Sequence, residues 1–380
     1  MSKTLVTIPA LIDPHVHFRT PGAEHKENWR TGAAAAIAGG VTTVFDMPNN
    51  TPACTTLERL QEKKQLIDEQ LTSVQIPLRY HLYLGASENT IPEIIRAAGA
   101  YIGIKVFLGQ STGDLLMTND DAFASVCQAA ATIGAVVAVH AEDEATMQIE
   151  KQKYTKEALQ DVRIHSIVRS RQAAITALQK AITMAKKYGT KMYILHASTK
   201  EEVELIRKAK KDGLNIALET TPHHLFLSES VYRTLGTRAQ MNPPLRTAED
   251  QKALWEGILD GTIDMIGTDH APHTLTEKDK PYGEAPSGVP GIETLLPLLG
   301  TAMADGRLTM ERLIAITSTN AQKFFGLIPN DDEVIVDMGN IKTVEGKNLK
   351  TKCAWSPWEG YRLTGWPVTT KLRGMSYHNL

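Results

Sequence analysis

Three cysteines in 380 residues, Cys54, Cys127 and Cys353, are too few, too scattered and odd in number to build a disulfide framework. A reducing compartment suits them better. Long apolar runs are also missing: no window approaches 18 uninterrupted apolar residues, and residues 1–12 lack a charged segment followed by an apolar one. Neither a membrane span nor a secretory leader is expected, and the chain reads as cytoplasmic. Charge of one sign is scarce, since 41 Lys and Arg against 43 Asp and Glu leave a formal charge of −2. Without a basic stripe or an Arg-rich arm, a nucleic-acid partner is not expected. What is present is an ordinary globular composition, 42% hydrophobic and 22% charged, long enough to bury a large core.

Apolar, β-branched runs alternate with amphipathic or Ala-rich stretches. Strands are expected at 12–17, 41–45, 79–84, 102–108, 135–140, 191–196, 215–221 and 264–270. Helices are expected between them at 28–40, 55–71, 91–98, 120–133, in a long region ending near 189, and at 200–211 and 247–263; 292–304 and 310–325 complete the outer layer. Eight such strands, apolar enough for burial on both faces, predict an α/β fold, a (β/α)8 TIM-type barrel. From residue 333 onward the pattern shortens into small strands and turns. The expected division is a barrel over 8–330 and a small C-terminal β appendage over 331–380, joined by residues 1–7. The Trp-rich tail, with Trp355, Trp358 and Trp366, either packs onto the barrel or presents a partner surface.

Chemistry in this fold gathers at the C-terminal ends of the strands. His15 and His17 sit two apart at the end of the first strand, so strand alternation sends both imidazoles the same way. Asn49 follows the second strand, Lys105 lies on the fourth, His140 ends the fifth, His196 the sixth and Asp269 the eighth. Each taken singly could be an ordinary core or loop residue. Together they supply several nitrogen ligands and a carboxylate, more than one tetrahedral ion needs, and two metals are the natural reading. Lys105 admits two readings. It could pair with a carboxylate or reach solvent; or, with its pKa lowered by burial and nearby cations, it could add carbon dioxide and become an anionic carbamate bridging two metals.

The blocks Asp13-Pro14-His15-Val16-His17-Phe18-Arg19, Met47-Pro48-Asn49-Asn50, Gly103-Ile104-Lys105, His140-Ala141-Glu142, His196-Ala197-Ser198, Asn242-Pro243-Pro244-Leu245-Arg246, Asp269-His270-Ala271-Pro272-His273 and Gly288-Val289-Pro290-Gly291-Ile292-Glu293-Thr294 occur in this order. They resemble the dihydroorotases of the amidohydrolase superfamily over residues 8–326. The resemblance implies a pyrimidine-biosynthetic hydrolase that interconverts N-carbamoyl-L-aspartate and L-dihydroorotate. It implies that His15, His17, Lys105 as N6-carboxylysine and Asp269 hold one Zn2+, and that Lys105, His140 and His196 hold a second, with a bridging hydroxide and Asp269 as general base and acid. Glu219 is open between a contact to a third metal and a structural carboxylate. For His223 and His224 a hydrogen-bonded supporting role is favoured over ligation. Substrate contacts carried over are Arg19, Asn49, Asn242, His273, the backbone at Pro290 and Gly291, and Thr112 in a covering loop at 109–117. A homodimer and association with aspartate transcarbamoylase are further implications. Two readings compete: a hydantoinase, dihydropyrimidinase or allantoinase using the same metals on another cyclic amide, and an inactive dihydroorotase-like partner of aspartate transcarbamoylase. The resemblance also departs from its pattern at the N-terminus, where the long contribution to a β-sandwich seen in many amidohydrolases does not precede the first strand.

Overall fold

A computed structural model describes residues 5–111 and 115–378. The eight expected barrel strands are all present: β2 (Leu11–Val16), β3 (Val41–Asp46), β4 (Arg79–Gly85), β5 (Gly103–Phe107), β6 (Val136–His140), β7 (Lys191–Ile194), β8 (Ile216–Thr220) and β9 (Met265–Ile266). They form one parallel sheet in sequence order from β2 to β9. Closure between its two ends is made by a bridge of Val16 with His270 and by the His17 N–H donating to the His270 carbonyl at 2.9 Å.

Period-two alternation separates the two faces of this sheet. Ile12, Phe45, Tyr83, Ala138, Tyr193, Ala217 and Met265 pack together inside the barrel, while Leu11, Val44, Leu84, Val106, Val139, Ile194 and Ile266 pack outward under the helices. Gly103 is required by this filling: a Cβ there would lie 2.9 Å from the Tyr83 ring. Each fully buried aliphatic or aromatic side chain contributes ~1.5–3 kcal/mol, so this double-sided core holds the strand ends in place.

The helices follow the expected pattern with local corrections. Trp29–Ala38 starts at Asn28, whose side chain accepts from two backbone N–H groups, and Lys200–Lys211 and Ala248–Asp260 open with capping boxes at Thr199 and Thr247. The region ending at Gly189 is not one helix but Glu144–Lys151, short turns, and Arg171–Tyr188 capped by Ser170. The expected helix at 292–304 begins only at Leu295, after a turn in which the N–H groups of Gly291 and Ile292 donate to Nδ1 of His270. A π-type turn, Ala315–Thr319, interrupts the last one. The eighth strand is shorter than expected, and beyond its end Asp269 leaves extended geometry, with φ at 46°.

A second, antiparallel sheet lies beside the barrel. Its strands are β1 (Leu5–Pro9), β10 (Glu333–Asp337), β13 (Trp366–Leu372) and β14 (Met375–His378), in the order β1-β10-β13-β14; β11 (Lys342–Thr343) pairs with β12 (Arg362–Leu363). The tail packs onto the barrel, as the first of its two readings held. Trp355 donates from its indole N–H to the His273 carbonyl at 2.7 Å, and Trp358 is buried among Leu227, Met241, Leu245 and Val289. All three cysteines are buried and free. Among the described residues, no helix is long and apolar enough to cross a membrane.

Candidate metal centre and substrate pocket

One cavity at the C-terminal ends of the barrel strands brings together His15, His17, Arg19, Asn49, Lys105, His140, His196, Asn242 and Asp269. Nε2 of His15 lies 3.3 Å and Nε2 of His17 3.0 Å from Oδ1 of Asp269, a cluster with the donor atoms of a metal site. On the neighbouring strands Nδ1 of His140 lies 3.0 Å from Nε2 of His196.

The remote nitrogens show how these rings are prepared. Nδ1 of His15 is 2.9 Å from Oε1 of Glu219, Nδ1 of His17 is 2.8 Å from Oδ1 of Asn49, and Nε2 of His140 is 2.9 Å from Oε2 of Glu142. Each acceptor fixes the ring proton on the far side and leaves the other nitrogen's lone pair for the cavity, toward Asp269 from His15 and His17 and toward His196 from His140, which is the arrangement that metal-ligating histidines require. Burial holds His17 neutral, with its pKa lowered to about 4. The residues present therefore fit divalent cations of the zinc class.

Lys105 is 1% exposed, and its ammonium lies over the Phe107 ring at 4.4 Å. Burial pushes its pKa down to about 7 against the opposing pull of Asp269 and Glu219. Among the described residues, no acceptor lies at hydrogen-bond distance from Lys105 to support its reading as a paired lysine.

Glu219 sits beneath the cluster. Its carboxylate also accepts from the Tyr193 hydroxyl and, at 3.0 Å, from the His196 N–H, so its oxygens are engaged by protein groups. Gly267 makes room for it: a Cβ there would strike that carboxylate and lie 2.8 Å from the Cβ of His15. His224 is held by Thr221 Oγ1 at 2.8 Å and the Pro243 carbonyl at 3.1 Å, a supporting role next to Asn242. His223 is buried, and its Nε2 has no partner among the described residues.

On the outer side of the cluster Arg19 is buried, donates from Nε to the Pro272 carbonyl at 3.1 Å, and holds Nη2 3.1 Å from Nε2 of His273. Arg19, His196 and Asp269 all have positive φ, at 62°, 39° and 46°, so the backbone is strained where these side chains are aimed. Ser287 and Gly288 line the cavity, and a Cβ at Gly288 would lie 2.6 Å from the Ala271 carbonyl. Pro290 and Gly291 instead line an adjoining cleft with Glu293 and Thr351, the Gly291 N–H being spent on His270. Thr112 lies outside the described residues.

Several contributors have no signal in strand spacing alone. Glu142 orients His140 and is gripped by Arg169, and only its place two residues after His140 hints at this. Asp13 accepts from the His15 and Thr268 N–H groups at 3.2 and 3.0 Å, tying the first barrel strand to the last. Lys63, on a helix, forms a 2.5 Å ion pair with Asp46 and donates to the Met47 carbonyl at 2.9 Å, pinning the turn that presents Asn49.

The model of the amidohydrolase family matches residues 6–330. A dihydroorotase of Methanosarcina mazei is 38% identical over 392 residues, with 98% of this chain and 84% of that protein covered. One of Halobacterium salinarum is 38% identical over 376 residues, covering 97% and 85%. The multifunctional protein CAD of Squalus acanthias is 33% identical over 375 residues, covering 98% of this chain and 15% of that one. Among solved structures, the L-hydantoinase of Arthrobacter aurescens superposes with a TM-score of 0.92 at 28% identity, covering 97% of this chain and 84% of the other.

Proposed function

The chain belongs to the amidohydrolase family, and from that premise we propose that it is a dihydroorotase, interconverting N-carbamoyl-L-aspartate and L-dihydroorotate in pyrimidine biosynthesis. The observation that carries the reading is the placement of Arg19, Asn49 and His273 beside the His15, His17 and Asp269 cluster. A planar guanidinium flanked by amide and imidazole groups suits a carboxylate on the ring. The relatives named dihydroorotase are also nearer in sequence than the hydantoinase structures.

His15, His17, Lys105 and Asp269 would hold one zinc ion and Lys105, His140 and His196 the other, with Lys105 as N6-carboxylysine; the engaged carboxylate of Glu219 favours support of His15 over a third ion. Bound divalent ions supply Lewis acidity, which activates water and polarises an amide carbonyl. The chain's residues do the rest. Arg19, Asn49, His273 and Asn242 hold the substrate carboxylate, the backbone at Pro290 and Gly291 supports the wall behind it, and Thr112 belongs to the covering loop. Asp269 takes a proton from the attacking water and delivers it to the leaving ring nitrogen, a contribution of ~10² to 10⁴ in rate. The proposal includes a barrel over 8–330 with the appendage at 331–380, a cytoplasmic location, a homodimer, and association with aspartate transcarbamoylase, which the match inside a multifunctional protein supports.

Zinc content per chain, measured with cyclisation of N-carbamoyl-L-aspartate in the same preparation, tests the reading. About two ions with turnover, and little action on uncarboxylated hydantoin or dihydrouracil, is expected. Preference for the uncarboxylated rings assigns a hydantoinase or dihydropyrimidinase, and metal-free protein without turnover assigns the inactive partner.

A further inference from the structure

Beyond the pocket wall, Nζ of Lys26 lies 3.0 Å from Nδ1 of His273 and 2.9 Å from Oε1 of Glu277. On the opposite edge of the same ring, Nε2 lies 3.1 Å from the Ser287 carbonyl and 3.1 Å from Nη2 of Arg19. His273 is 1% exposed, and burial with the cations Arg19, Lys26 and Lys278 nearby keeps it neutral at pH 7, so the ring carries a single proton. Where that proton sits decides what Arg19 can do. A lysine ammonium has donors and no acceptor. A proton on Nδ1 would face Lys26 donor to donor and would leave the Nε2 lone pair to capture Arg19 Nη2. A proton on Nε2 leaves the Nδ1 lone pair for Lys26, donates to the Ser287 carbonyl, and denies Arg19 Nη2 an acceptor in the ring, so that guanidinium N–H is left for a substrate carboxylate.

We infer that Lys26 is a positioning residue that selects the Nε2–H tautomer of His273 and so prevents the ring from capturing Arg19, keeping the guanidinium available to the substrate carboxylate. This rests on the carboxylate-binding reading of the pocket. Lys26 is itself fixed by Glu277, which closes a capping box with Thr274 immediately after His273. The ion pair, the turn and the ring thus form one unit.

The test uses the zinc-loaded full chain with Lys26→Met, and Lys26→Arg as the conservative control. Lys26→Met is expected to raise KM for N-carbamoyl-L-aspartate by about tenfold or more while kcat stays within about threefold, and Lys26→Arg to recover most of the loss. Long-range proton–nitrogen spectra of histidine-labelled protein, with His273 assigned by its loss in His273→Asn, are expected to show the Nε2–H pattern in wild type and a shift toward Nδ1–H in Lys26→Met. An unchanged tautomer in Lys26→Met overturns tautomer selection, and a changed tautomer with unchanged KM overturns its service to binding. Should circular dichroism show Lys26→Met unfolded, Lys26→Gln, which can accept from Nδ1–H, is read in the same way. Absence of cyclisation by wild type would remove the proposed function, while the spectra would still judge the tautomer.

Discussion

His140 and His196 come from adjacent strands and hold Nδ1 and Nε2 3.0 Å apart, close to the ~3.3 Å that separates two nitrogens on one tetrahedral zinc ion. Lys105 opens into the same cavity. Lys105→Ala is therefore expected to lose metal and turnover together, with small added carboxylates restoring part of both. Elemental analysis of the purified variant decides it. Full metal occupancy would show that the lysine does not complete the site.

Asp269→Asn should leave the barrel folded and lower kcat by at least ~10². Asn is the informative replacement because it tolerates the left-handed backbone that Asp269 adopts at φ 46°. Steady-state kinetics beside a circular dichroism spectrum makes the measurement. More than about a tenth of wild-type kcat would remove Asp269 from proton transfer.

Lys63→Met should be strongly destabilising although it touches no substrate. Lys63 and Asp46 are both fully buried, and loss of the ammonium strands a carboxylate whose removal from water is uncompensated, at a cost of ~3–5 kcal/mol. The turn at Met47 and Asn50 also loses its pin, so KM should rise with the fall in stability. Urea unfolding and kinetics on the same preparation measure both. A wild-type urea midpoint would show the pair to be dispensable.

Glu293 gives the appendage contact a pH dependence. Burial raises its pKa from 4.5 to about 7, against the Lys350 and Thr351 N–H groups that favour the charged form. Between those two values the folded chain keeps a proton that the unfolded chain has released, so its contribution to stability falls as the pH rises through that window. Glu293→Gln should raise the melting temperature at pH 8 and change it little at pH 4.5. Equal shifts at both would exclude titration of Glu293 as the cause.

The (β/α)8 order and the membership of the cavity at the strand ends were legible in the chain because both depend on local pattern. Buried parallel strands must be apolar on both faces, and ligands must sit where such strands end, so reading the strands located His15, His17, Lys105, His140, His196 and Asp269 without any knowledge of packing. Which way those ligands face was not legible. Strict alternation from Ile12, which points into the barrel, would also send Val16 inward and His15 outward; a register shift between Asp13 and Val16 reverses this and turns both histidines to the centre. Met192 and Ile194 face the helices, so His196 would follow them but for its φ of 39°. Lys26, Lys63 and Glu219 reach their partners across 247, 17 and 204 positions of sequence, and only the closed barrel sets those distances. Spacing determined which residues could bind metal; the strained strand ends and long-range hydrogen bonds, paid for by the core beneath them, decided where their lone pairs and protons point.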